Sequence, residues 1–214
     1  MRIAFERKRP LPRWLLRPAL FSGAPLLLVL APLLAAQGYA LHTESVTIPE
    51  QGAVTEYVLR IEDKEFRFIP RKKWSVRYDP AKRTATLLPP NLEAGLSFTI
   101  TPAPGELLQN LNPERLRELI LARYPGARIT TESRCYAAGK AGLAFEFERM
   151  LEKETTAAFR IAFVPFDGGV IEFELKTTGS KLPAYHHTFG NLLNSFRVGP
   201  PGAGGGRRGQ VRDS

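Results

Sequence analysis

From about residue 41 onward, hydrophobic and polar residues alternate one by one in run after run, the period of a strand with one buried face and one wet face. In "YVLRIED" the alternation sets Tyr57, Leu59 and Ile61 on one side and Arg60 and Glu62 on the other. "LSFTIT" does the same with Leu96, Phe98 and Ile100. The clearest stretch runs from Gly142 to Thr178, where Leu143, Phe145 and Phe147, then Phe159, Ile161 and Phe163, then Ile171, Phe173 and Leu175 each fall on a single face. Short turns separate the three runs, so the pattern predicts an antiparallel meander with one buried side.

Two stretches change period. "NPERLRELILARYPG" opens with Asn112 as a cap and Pro113 at the first helical position. It carries Leu116, Leu119, Ile120 and Tyr124 along one face and stops at Pro125-Gly126, as a helix bounded by these signals should. "SKLPAYHHTFGNLLNSFRV" gathers Leu182, Tyr185, Phe189, Leu192, Leu193 and Phe196 into one stripe, again helical. Each helix has one apolar face to bury, and the sheet is the surface that can receive it. The expected fold class is α+β: a mostly antiparallel sheet, packed by two main helices.

The order of these elements resembles the PsbP-like superfamily, which includes DcrB-type periplasmic proteins. The resemblance is carried by a strand ending in "FRFIP", the tryptophan of "KKWSVRYDP", the strand "LSFTITPAP", a helix, "GLAFEFER" leading a meander, and a closing helix ending "LLNSFRV". It covers about residues 64 to 198. It implies an α/β/α sandwich that serves as a non-enzymatic accessory or assembly factor, and it brings no catalytic motif. Residues 41 to 63 stand outside it as an extra strand or lead-in.

Charge patterning adds an address. Arg2, Arg7, Lys8, Arg9, Arg13 and Arg17 precede an uncharged run from Pro18 to Leu41, with only Glu6 opposing them. This is the pattern of an export signal whose positive end stays in the cytoplasm. As a helix the run would reach roughly 36 Å, enough to span a hydrocarbon core. Pro18, Pro25 and Pro32 interrupt it, however, and Gly38 and Ala40 supply the small residues a signal peptidase needs. The expected organisation is therefore an export signal over residues 1–40, cleaved near Ala40 or retained as a membrane anchor through residues 18–41. A single domain over 41–198 and a disordered Gly/Arg-rich tail over 199–214 follow. The domain is periplasmic or extracellular if released, and faces outward if anchored.

The net charge of +9 belongs mostly to the ends. Residues 41–198 hold 21 basic against 19 acidic side chains, so nucleic acid is not an expected partner. Cys135 is the only cysteine. It can form no internal disulfide, it lies too far from the signal for a lipoprotein anchor, and it reads as a buried strand residue, with an intermolecular disulfide as the alternative.

Candidate chemistry is sparse. His186 and His187 are adjacent, so on a helix they point about 100° apart, and the positions three and four away offer no metal ligand; no metal or cofactor is expected. Glu146, Glu148, Glu172 and Glu174 could share an outer sheet face, as the paired carboxylates of a glycoside hydrolase do; they also suit the polar side of any half-buried sheet, with Arg149, Lys153, Arg160 and Lys176 as partners. Asp167–Gly169 and the "AGKAG" around Lys140 read as turns, not phosphate loops.

One uneven feature remains. Residues 60–83 carry nine basic side chains against four acidic ones, while 141–176 carry four against seven. These could be two solvated faces, or the basic segment could contact an anionic envelope component or a protein partner. The candidate patch is Arg71, Lys72, Lys73, Arg77, Lys82 and Arg83, with both clusters expected at one end of the sheet. Trp74 reads as core, with a place at the edge of this patch as the alternative. The functional expectation is an exported, non-catalytic binding or assembly accessory of the cell envelope. The alternatives are an envelope hydrolase using the sheet carboxylates and a membrane-anchored surface protein with a structural role.

Overall fold

The alternating runs pair through tight turns into two antiparallel sheets. A computed structural model describes residues 39–49, 51–102, 112–151 and 155–202. The segment before Tyr39 and the end beyond Gly202, on which the signal and tail readings rest, lie outside the described residues. In the first sheet β1 (Tyr39–Ile48), β2 (Gly52–Ile61), β3 (Lys64–Phe68) and β11 (Arg197–Gly199) lie in that order. The second contains β4 (Ser75–Asp79), β5 (Thr84–Leu88), β6 (Ala94–Pro102), β7 (Arg128–Ala137), β8 (Lys140–Met150), β9 (Thr156–Phe166) and β10 (Gly169–Thr178), ordered β4-β5-β6-β10-β9-β8-β7. The extra lead-in of 41–63 is thus a hairpin that heads a four-stranded sheet completed by β3 and β11.

Helix α1 (Pro113–Arg123) starts where the capping residues place it: the Asn112 side chain accepts from the amides of Glu114 and Arg115 at 3.0 and 3.3 Å. Leu116 and Ile120 are buried against Phe145, Phe147, Phe159, Ile161 and Phe163. Leu119, expected on the same face, is 39% exposed, because it points about 100° away from its buried neighbour Ile120. Helix α2 (Leu182–Ser195) buries Leu182, Tyr185, Phe189, Leu192 and Leu193 on the opposite face of that sheet. Phe196, at the helix cap, closes the larger core with Phe66, Phe68, Phe98 and Phe173.

The meander departs from the expectation of one buried side. Phe163 pairs with Glu172 and Ala162 with Phe173 across the β9–β10 hairpin. The large apolar residues of β8 and β9 therefore face α1, whereas Ile171, Phe173 and Leu175 face α2 and the first sheet. The two-residue turn at Asp167–Gly168 fixes this parity. Gly168 at φ +106° supplies the backbone conformation the turn requires.

On the first sheet, the face turned away from the core carries a charge network. Arg67 reaches Glu44 at 2.7 Å, Glu65 at 2.9 Å and Glu56 at 3.1 Å, and Arg60 reaches Glu65 at 2.7 Å. Hydrogen bonds from Arg67 hold the Glu44 carboxyl below its usual range, and those from Arg60 and then Arg67 do the same for Glu65. The same carboxylates push the Arg67 guanidinium upward, so it stays charged. Three charged groups of the skewed segment, Arg60, Glu65 and Arg67, are thus satisfied among themselves and by Glu44 and Glu56.

Candidate binding cleft

A cleft of about 1030 Å³ opens between the β1–β2 hairpin, the linker from β3 to β4, and the outer face of α2. The linker wall follows from local sequence. Pro70 cannot donate to a ladder, so the strand ends before it. The chain then turns, with the Trp74 amide bonded to the Arg71 carbonyl at 3.0 Å and Lys73 at φ +70°. Three contacts pin this turn to α2. The Ile69 amide donates to Ser195 Oγ at 3.1 Å, Arg71 donates to Thr188 Oγ1 at 3.1 Å, and Trp74 packs edge-on to Tyr185 with centroids 6.2 Å apart. Trp74 is buried core and also contributes to the cleft floor.

Arg71, Lys72 and Lys73 stand together on this wall, and Arg197 joins them from β11. Among the described residues that line the cleft, none is Asp or Glu. Lys72 and Lys73 are exposed. The opposite wall is the polar face of α2, with His187, Asn191 and Asn194, and the floor includes Tyr57, Ile69 and Leu192. Cationic rim, uncharged polar wall and apolar floor together suit a ligand that is both anionic and partly apolar.

The remaining patch residues sit elsewhere. Arg77 is exposed in the middle of β4. Lys82 and Arg83 lie at the far end of the β4–β5 hairpin, since Ser75 pairs with Leu88 and Asp79 with Thr84. The expected meeting of both clusters at one end does not occur, because β4 separates them by about 16 Å of extended chain. Lys82 lies 3.7 Å from Asp79, and Arg83 lies 3.1 Å from Glu62.

The four sheet carboxylates are also divided. Register puts Glu146 and Glu148 on the α2 side and Glu172 and Glu174 on the α1 side. Glu146 lies 3.0 Å from Arg160 and 3.3 Å from His186, and Glu148 lies 3.6 Å from Arg128. Glu172 is gripped by Arg123, and Glu174 accepts from the Tyr124 hydroxyl at 2.7 Å. The expectation that all four share an outer face fails for the same reason as the one-sided meander: the turn parity places equal-looking strands in opposite senses.

His186 and His187 diverge as helical geometry demands, one toward Glu146 and the other to the cleft. Cys135 is buried on β7, and burial raises its thiol to about 11, so it is protonated at neutral pH. The residues that sequence reasoning did not bring to the site are Arg197, the α2 polar face and the hairpin wall. One signal was available: α2 contains no Asp, Glu, Lys or Arg, unusual for a helix with an exposed face.

No family model matches the chain, and no curated protein matches it. Among solved structures it is similar to cyanobacterial PsbP (CyanoP) from Synechocystis, at 14% identity over 73% of this chain and 92% of that one, with a TM-score of 0.47. It is similar to LpqN of Mycobacterium tuberculosis, described as involved in cell envelope biogenesis, at 12% identity over 75% and 92%, TM-score 0.37. It is similar also to the Ran-binding protein Mog1p of Saccharomyces cerevisiae, at 8% identity over 74% and 96%, TM-score 0.46. A PsbP is thus among the solved structures this chain is similar to.

Proposed function

We propose that this chain is an exported, non-catalytic binding or assembly accessory of the cell envelope, with an α/β/α sandwich of PsbP-like type, and that it captures an anionic partner in the cleft. The single observation carrying this reading is the lining of that cleft, where Arg71, Lys72, Lys73 and Arg197 meet no carboxylate among the described residues. A surface of one sign raises the local concentration of oppositely charged partners. Export is supported by the basic, apolar and small-residue order of residues 1–40. The hydrolase alternative needs a free carboxylate pair, and its four candidates lie two to a face, each engaged: Glu148 by Arg128, Glu146 by Arg160, Glu172 by Arg123 and Glu174 by the Tyr124 hydroxyl.

The test is capture from envelope fractions with identification of the bound component, at physiological ionic strength and at about 1 M salt. Screening shortens from about 8 Å to about 3 Å between these conditions. Binding through the cleft is lost at high salt and lost when Lys72 and Lys73 are both changed to glutamate. Capture that survives both treatments would reject the cleft as the binding surface.

A further inference from the structure

We propose that the partner enters the cleft as an extended acidic peptide segment and adds a strand to the free edge of β2. This rests on the cleft being the binding surface, and it follows from sheet register. β1 pairs with β2 along its whole length, from Ile48↔Gly52 to Tyr39↔Ile61. β3 takes up only Tyr57 to Ile61. The stretch from Gly52 to Glu56 overhangs as an arm, with no partner strand on its second side among the described residues. Alternate residues there direct amide and carbonyl groups away from β1.

β3 cannot extend into that place, because it leaves the sheet at Ile69–Pro70 and the linker that follows is pinned to α2. Nor is the edge protected. Natural edges are blunted by lysine, proline, inward charges or a bulge, whereas Gly52, Ala53, Val54 and Thr55 are uncharged, and Ala53 and Thr55 are exposed. Ala53, Val54 and Thr55 line the cleft that holds Lys72 and Lys73. The arm's own acids, Glu44 and Glu56, are engaged by Arg67 on the other face. An edge of about five residues, roughly 17 Å long, therefore faces a cationic wall across an open cleft. A strand with acidic residues on one side and apolar residues on the other meets both the rim and the floor. An acyl chain would leave the backbone groups unused.

The probe is a fluorescein-labelled octapeptide alternating glutamate and valine, followed by anisotropy with the full chain. Two further octapeptides carry N-methyl groups on alternate amides, one on the odd and one on the even residues. An octapeptide alternating lysine and valine and vesicles of anionic phosphatidylglycerol complete the set. Strand addition uses one edge of the peptide, so one methylated form binds about tenfold or more weakly, the worth of a hydrogen bond or so. The other form binds like the parent, and the lysine peptide does not bind. Slowed hydrogen exchange at Ala53 or Thr55 on adding the parent locates the strand. Equal binding by both methylated forms overturns strand addition and leaves anionic capture standing, as does binding of vesicles but not of the acidic peptide. Binding of neither peptide nor vesicles overturns both readings.

Discussion

Replacing Phe196 with alanine removes the ring on which the larger core converges. The side chain is 2% exposed and meets Phe173 at 4.9 Å, Phe98 at 5.0 Å, Phe68 at 5.9 Å and Phe66 at 6.5 Å between centroids. It therefore joins α2, both sheets and the last strand. Area burial of an aromatic side chain is worth roughly 4 kcal/mol at about 25 cal/mol per Å². The cavity left among four rings cannot collapse easily, which places the cost near the upper end of the 3 to 5 kcal/mol range expected for such truncations. A domain of this size holds about 5 to 15 kcal/mol in total, so the variant should lose a third or more of its stability. The melting temperature should fall by about 10 °C or more at roughly 2 to 4 °C per kcal/mol. Urea unfolding followed by circular dichroism measures the loss. His187→Ala, at an exposed position, serves as control and should change stability by no more than about 0.5 kcal/mol. A Phe196→Ala loss below about 1 kcal/mol, or equal losses from the two variants, would refute the packing derived for α2.

Other outcomes follow from the charge groups and the chain start. Arg67→Ala takes away the ion-pair partner of the buried Glu56 and one partner each of Glu44 and Glu65, which should cost about 3 to 5 kcal/mol in chemical unfolding at neutral pH, whereas a loss under about 1 kcal/mol would contradict the network. Because the Glu44 and Glu65 carboxyls lie below their ordinary value of 4.5, their stabilisation is present above that pH and is lost as pH falls through the folded values. Thermal melts should accordingly weaken in acid below about pH 4.5, and less so in Arg67→Ala; an unchanged acid dependence in the variant would remove these groups as the cause. The double variant Lys72→Glu and Lys73→Glu should melt within a few degrees of the parent, since both side chains are exposed, yet fail to bind anionic material; a collapsed melt would mean that the linker depends on them. Sequencing the N-terminus of protein taken from envelope fractions should give a start near Leu41, and a membrane-bound chain still starting at Met1 would overturn cleavage.

Much of the fold was legible because alternation is local. Each strand's faces, the Asn112 cap and the apolar stripe of α2 all depend on residues within one element. What the alternation of Phe145, Phe147, Ile171 and Phe173 could not say is which face is which, because both sides of this sheet are covered and both look apolar. Counting back through the two-residue turn at Asp167–Gly168 would have paired Phe163 with Glu172, and so separated the carboxylates. The cleft was half legible. Its basic wall is three consecutive residues, but the hairpin arm at Ala53 joins it only through the folding of the first sheet, and the helix face at Asn191 comes from more than a hundred residues along the chain.

Site-specific photo-crosslinking in intact cells shows whether the anionic partner lies in the cleft. A photoreactive residue replacing Asn191, on the cleft wall, should yield a defined adduct that disappears when Lys72 and Lys73 are changed to glutamate. The same group replacing Tyr136, which is 62% exposed on β7, should yield none. An adduct from Tyr136 alone, or an Asn191 adduct indifferent to the charge reversal, would contradict the account.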